Sequence, residues 1–177
     1  MRLIQQALAF ALMGGPSGAV MEVRRDGKAI AVQMTTTVDA PLAQVERVLM
    51  EVQYWPHWIP HLRSTRTLEA DDGHIVLATE IDLPWPVSDV NETVRIDRRR
   101  IKGGIELSWR HVKGDLVRNE GRWTLLRMPN DRTYVRYQAV IQLDTWVPTF
   151  MLKNAEEKEA PWVIDGLRSR ARFYARQ

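Results

Sequence analysis

The 177-residue sequence has no cysteine, so disulfide cross-links, a thiol nucleophile and cysteine-ligated zinc are all excluded. Histidine is scarce, with four in the chain, and none stands in a metal-ligating pattern. His57 and His61 are four apart, but Pro56 and Pro60 disfavour the regular helix such a pair needs, and no glutamate follows His57. There is no G-x-S-x-G elbow, which removes support for a hydrolase of that type. Gly14-Gly15 and Gly103-Gly104 lack the spacing of phosphate or dinucleotide loops and read as structural glycines. No segment is apolar for long enough to span a bilayer, and there is neither an internal repeat nor a low-complexity tract.

What is present is the composition of one folded domain with a sizeable core, 45% hydrophobic and 27% charged. The net charge of +3 is spread along the chain, mostly on arginines. The densest cluster, Arg98-Arg99-Arg100 with Lys102, has the charge to meet phosphates, but its simplest reading is a solvated strand end before the Gly103-Gly104 turn. The N-terminus, MRLIQQALAFALMGGPSGAVM, has one early cation, an apolar run from Leu8 to Met13 and small residues ending at Ala19. That pattern fits a secretory signal cleaved after Ser17-Gly18-Ala19, although Gln5-Gln6 interrupt its apolar region. Residues 1–20 are therefore set apart as a signal peptide or N-terminal extension, and residues 21–177 as the domain. A periplasmic or secreted protein is expected, with the cytoplasm as the alternative.

Alternation of apolar and polar residues from Ala29 to Val38 predicts a half-buried strand. Asp39-Ala40-Pro41 then offers a helix start with Asp39 as cap, and Val45, Val48, Leu49 and Val52 recur at helical spacing until Pro56 and Pro60 intervene. Six further extended runs follow: 64–68, 75–81, 92–98, 105–111, 121–128 and 133–143. Turn-rich spacers such as Ala70-Asp71-Asp72-Gly73 and Pro129-Asn130-Asp131 make them an antiparallel meander. The stretch Pro84-Trp85-Pro86 reads as a stiff bend between two of these strands, its ring turned toward the core first and a ligand second. From Pro148 to about Tyr174 the pattern is helical, kinked or restarted at Pro161. Trp162, Val163, Gly166, Leu167, Arg170 and Ala171 form its expected inner stripe, opposite Arg168 and Arg172.

The expected architecture is α+β: a curved antiparallel sheet of about seven strands wrapped around a long C-terminal helix, with a short helix after the first strand. Such a shell has room for an apolar cavity. Four stretches carry a family resemblance. They are VDAPLAQVERVLMEVQYWPHWIPHLRSTRTLE (38–69), PWPVSD (84–89), GDLVRNEGRWTLL (114–126), and the segment from Val147 to Arg172 with Pro161 and Leu167-Arg168. In that order they resemble the helix-grip superfamily of START lipid-transfer domains, polyketide cyclase/dehydrase-like proteins and coenzyme Q-binding proteins, and within it a bacterial START-type branch. The chain departs from that branch at Val90-Asn91, where relatives carry an arginine and a second acid, and in a shorter 112–119 segment.

The resemblance implies that the protein binds a hydrophobic small molecule, such as a lipid, sterol-like compound or quinone, and transports or sequesters it. A polyketide cyclase or dehydratase, or an interaction module using the basic surface, are the alternatives. No cofactor, metal or catalytic residue is expected. Transient contact with a membrane surface is allowed, and nucleic acid is not an expected partner. Seven tryptophans suit both core and cavity walls. The candidate ligand-binding residues are Met34, Trp58, Leu77, Trp85, Glu92, Trp109, Tyr137, Phe150 and Met151. Glu92 shares a strand face with Val94 and Ile96, so an inward carboxylate there needs a partner such as an arginine or a ligand hydroxyl. His74 and His111 are read as surface polar residues.

Overall fold

The computed structural model describes residues 19–177. The export signal expected over residues 1–20 therefore lies, except for its last two positions, outside the described residues. The first described element is not among those expected. Strand β1 (Val20–Asp26) turns through Gly27, at φ 59°, and pairs antiparallel with β2 (Ala29–Val38), Val23 facing Val32. Met21 and Val23 alternate with exposed Glu22 and Arg24, a short period-two signal hidden by its position beside the leader-like segment.

Helix α1 (Leu42–Met50) buries Leu42, Val45, Val48 and Leu49 on one face. Asp39 does not cap it. Pro41 itself occupies the capping position, its carbonyl accepting from Gln44 and Val45, and Asp39 instead accepts from Arg132 Nε at 3.1 Å. A tight 3-10 turn (Val52–His57) carries Pro56 and delivers Trp58 to the interior.

The remaining strands are β3 (Leu62–Ala70), β4 (His74–Ile81), β5 (Val90–Ile101), β6 (Gly104–Gly114), β7 (Leu116–Met128) and β8 (Arg132–Leu143). All neighbours pair antiparallel in one sheet of order β1-β2-β8-β7-β6-β5-β4-β3, which is eight strands among the described residues rather than about seven. The meander runs from β3 to β8, and β2 closes onto β8 with Met34 opposite Tyr137. The short 112–119 segment is a tight hairpin between β6 and β7, not a lid.

The last element starts with α2 (Thr149–Asn154), passes through one π-helical turn (Ala155–Glu159) and continues as α3 (Ala160–Ala175). Pro161 sits in the first turn of α3 directly after the π-helical turn, so its missing N–H falls where the regular i to i+4 bonding is already interrupted, and the helix carries on past it. Ala160, Ile164, Leu167 and Ala171 form the buried stripe. Trp162, expected inside, is 62% exposed, because it lies about 200° around the helix from Ala160. Arg168, expected outside, is half-buried and donates from Nη2 to Thr36 Oγ1 at 2.8 Å.

Two apolar clusters fill the shell. The larger joins α1 and α3 to the sheet through residues such as Val45, Leu77, Leu125 and Leu167. The smaller comprises Ile30, Val87, Val90, Leu116, Leu143 and Val147, and lies where the sheet meets α2.

Candidate functional site

Strand alternation decides which side chains face inward. On β2 these are Ile30 and Val32 and on β8 Ile141 and Leu143, while on β7 a register shift between Leu116 and Arg118 breaks the alternation, so that Leu116 and Asn119, three apart, both reach the inner face. Together with Met21 and Val23 of β1, and with α2 laid across them, they border a half-open cavity of about 610 Å³. Leu83, Pro84 and Val87 of the β4–β5 connection and Val147, Phe150 and Met151 border it as well. The wall contributed by the sheet is apolar except for Asn119. The other polar groups on the cavity, among them Lys153, Asn154, Lys158 and Glu159, come from the helical side, joined by His61. His61 Nε2 lies 2.9 Å from Glu159 Oε1, which also accepts from Asn154 Nδ2 at 2.8 Å.

Asn119 belongs to a chain of side-chain hydrogen bonds on the inner face. Its Nδ2 donates to Glu92 Oε2 at 2.7 Å, and its Oδ1 accepts from the Trp109 indole at 2.9 Å. Glu92 Oε1 lies 2.9 Å from His111 Nδ1. The Glu92 side chain has no exposed surface, and burial pushes its carboxyl above the ordinary range, opposed by the bonds from His111 and Asn119. A β-bulge between Thr93 and Val94 shifts the β5–β6 register, so that Val94 pairs with His111.

Beyond this chain the rings stack. Trp109 lies nearly parallel to Tyr137 with centroids 5.3 Å apart, and Trp123 tilts onto Tyr137 at 4.5 Å. Gly121 makes room for this arrangement, since a Cβ there would stand 2.5 Å from the Trp109 ring and 2.2 Å from the Gln138 carbonyl. Burial raises the Tyr137 phenol pKa.

Of the residues expected to bind ligand, Phe150 and Met151 border the cavity. Met34, Trp58 and Leu77 do not; they are buried in packing. Trp58 sits against Gly166 of α3, where a Cβ added to the glycine would come within 2.8 Å of the Trp58 Cβ. Glu92, Trp109 and Tyr137 lie behind the cavity wall, with Trp109 also reaching a shallower depression of about 370 Å³ beside Gly121. Trp85 is a correction. It is 88% exposed, facing neither core nor cavity, because the flanking Pro84 and Val87 take the inward positions. The Trp85–Pro86 bond is cis.

His111 and Asn119 are site residues that sequence reasoning missed. His111 is half-buried rather than free at the surface, and it partners Glu92, which has no arginine partner among the described residues. The available signal was alternation: Asn119 shares its parity with Gly121, Trp123 and Leu125, and His111 with Leu107 and Trp109. Two of the four cations in the basic cluster are paired, Arg98 with Glu46 and Arg99 with Glu106, which weakens the case for an electrostatic docking surface.

Comparison with solved structures bears on the fold. A STAR-related lipid transfer protein from Xanthomonas axonopodis superposes with TM-score 0.76 at 20% identity, over 90% of this chain and 96% of that one. Zhui aromatase/cyclase from Streptomyces sp. R1128 gives 0.65 at 18%, over 81% and 94%. Human STARD10 gives 0.74 at 12%, over 91% and 72%. No curated protein matches in sequence. The helix-grip architecture expected from the sequence is the one observed. Residues 38–168, well over half the chain and spanning α1, the meander and most of α3, match the family model for polyketide cyclase / dehydrase and lipid transport, and the chain belongs to that family.

Proposed function

We propose that this protein binds a hydrophobic small molecule in its cavity, a lipid, sterol-like compound or quinone, and carries or sequesters it. The observation that supports this best is a volume of about 610 Å³ walled on the sheet side by apolar side chains and a single amide. That size is within the range of small-molecule sites. Affinity would come from apolar burial, at about 25 cal/mol per Å² before ordering costs. Native mass spectrometry of protein purified without detergent, followed by organic extraction, tests the reading. Bound lipid or quinone is expected, and Ile141→Trp should exclude it. An empty protein that also rejects a panel of apolar probes would sink the idea.

A carrier has to meet the membranes it serves. Trp85, Trp146 and Phe150 are exposed, and each is in or beside a segment that borders the cavity. We assign them to transient contact with a bilayer surface, since aromatic rings suit the interfacial region. Export from the cytoplasm, proposed from the leader-like N-terminus, is tested by N-terminal sequencing of the protein recovered from its host.

A second reading, a cyclase or dehydratase acting on a polyketide-like compound, is favoured by one observation, the Glu92–His111 couple. Carboxylate and imidazole at 2.9 Å are suited to acid–base work. Both carboxylate oxygens are already engaged, however, and the couple reaches the cavity only through Asn119. Product analysis with a polyketide-like substrate decides this, and identical profiles for the wild type and His111→Ala would remove it.

A further inference from the structure

The amide of Asn119 cannot turn over in its site. The Trp109 indole N–H is a donor only, so the atom facing it must be Oδ1, and Nδ2 is thereby directed at Glu92. Each end of the amide keeps capacity after these bonds: one N–H on Nδ2 and one lone pair on Oδ1. Among the described residues, Asn119 is also the one polar side chain that the sheet places on the cavity. Behind it stands a buried carboxylate whose side-chain partners are His111 and Asn119, with no lysine or arginine bonded to it among the described residues.

Building on the carrier reading, we propose that Asn119 is the specificity-determining contact of the cavity and selects an apolar ligand bearing a neutral hydrogen-bonding group, a hydroxyl or a carbonyl. A hydroxyl can use both free valences of the amide, and a carbonyl can accept from Nδ2. An anionic head is disfavoured at this position, because it would be desolvated beside the Glu92 carboxyl with no fixed cation on the sheet wall. Lys153 and Lys158 lie on the helical side, so a carboxylate ligand would turn its head away from Asn119.

The test is a matched series of one chain length: a saturated hydrocarbon and its terminal alcohol, methyl ketone and carboxylic acid. Each is titrated against the full protein by displacement of a fluorescent apolar probe. Alcohol and ketone are expected to bind about five- to tenfold more tightly than the hydrocarbon, the increment of one hydrogen bond. Asn119→Leu should erase that preference, bringing the alcohol, ketone and hydrocarbon to within about twofold of one another. Trp109→Phe, which keeps an aromatic ring but removes the indole donor that holds Oδ1, leaves the amide tied at the Nδ2 end alone and should reduce the preference, and it provides a second readout if the Leu variant folds poorly. Equal affinity for alcohol and hydrocarbon, or a preference that survives both substitutions, overturns the assignment and leaves the carrier reading intact. Failure of every compound, the hydrocarbon included, overturns both.

Discussion

Arg168 of α3 reaches β2 and donates to the hydroxyl of Thr36 at 2.8 Å and to the carbonyl of Thr37 at 3.3 Å. Thr36 is only 3% exposed, so these bonds join the final helix to the sheet where water cannot substitute. Arg168→Met keeps the apolar stem and removes the donors. It should destabilise the protein by about 1–3 kcal/mol, read from urea unfolding, the cost of stranding a buried polar group. An unchanged midpoint and slope would show that the tie contributes nothing.

Gly166 and Trp58 form the other close approach of α3. Alanine is ordinarily favoured over glycine within a helix by about 0.5–1 kcal/mol. Here its methyl would stand 2.8 Å from Trp58 Cβ, an overlap that helix and loop must separate to relieve. Gly166→Ala should therefore lower stability by about 1–2 kcal/mol, because overpacking outweighs propensity. A thermal midpoint raised by the substitution would contradict the tight contact.

Glu92 supplies a pH prediction. Its carboxyl pKa is raised in the folded protein by burial, so the native state holds this proton more tightly than the unfolded chain. The group's contribution is most favourable below the unfolded value of about 4.3 and declines as pH rises through it toward the folded value. Glu92→Gln has no such term and retains a donor and an acceptor for Asn119 and His111. As pH rises from about 3.5 to about 5.5, across the unfolded value, the variant should gain stability relative to the wild type. Parallel melting curves at the two pH values would refute the raised pKa.

Tyr137 predicts the alkaline counterpart. Burial holds its phenol protonated, and Tyr174 is raised too by its hydrogen bond to Glu51 and by burial. Of the four tyrosines, these two should ionise late in a spectrophotometric titration, and Tyr137→Phe should remove one late transition. Because the unfolded phenol ionises first, near a pKa of about 10, wild-type stability should fall above that pH more steeply than the variant's. Ionisation of all four together near the ordinary value would exclude a buried Tyr137.

The exposed rings in and beside the segments that border the cavity make a prediction about surfaces. Replacing Trp85, Trp146 and Phe150 together by serine should reduce co-sedimentation with phosphatidylcholine vesicles by about tenfold or more, with little change in thermal stability. All three are largely exposed, so folding does not depend on burying them. Undiminished vesicle binding would place membrane contact elsewhere.

Much of the architecture was legible in the sequence because it rests on local periodicities. The alternation from Thr133 to Leu143 and the Val45, Val48, Leu49 spacing are dictated by strand and helix geometry, and hairpin-length spacers leave an antiparallel meander as the consistent arrangement. Pairing of β2 with β8, far apart in the chain, depends on which edge the closing sheet presents, and no local signal records it. The same limit applies to the site. Alternation placed Glu92 inward, but its neighbours are fixed by the β5–β6 bulge and the β6–β7 register, which bring His111 and Asn119 to it from strands 19 and 27 positions away. Proline stiffness identified a bend at Pro84-Trp85-Pro86, whereas exposure of Trp85 follows from Pro84 and Val87 taking the cavity positions. The sequence by itself determined the elements from β2 onward, their order and the apolar character of the inner faces. Tertiary structure decided which inward residues line open space and which are buried in packing, because a cavity exists only where separate elements fail to close on one another, and that depends on the placement of all of them at once.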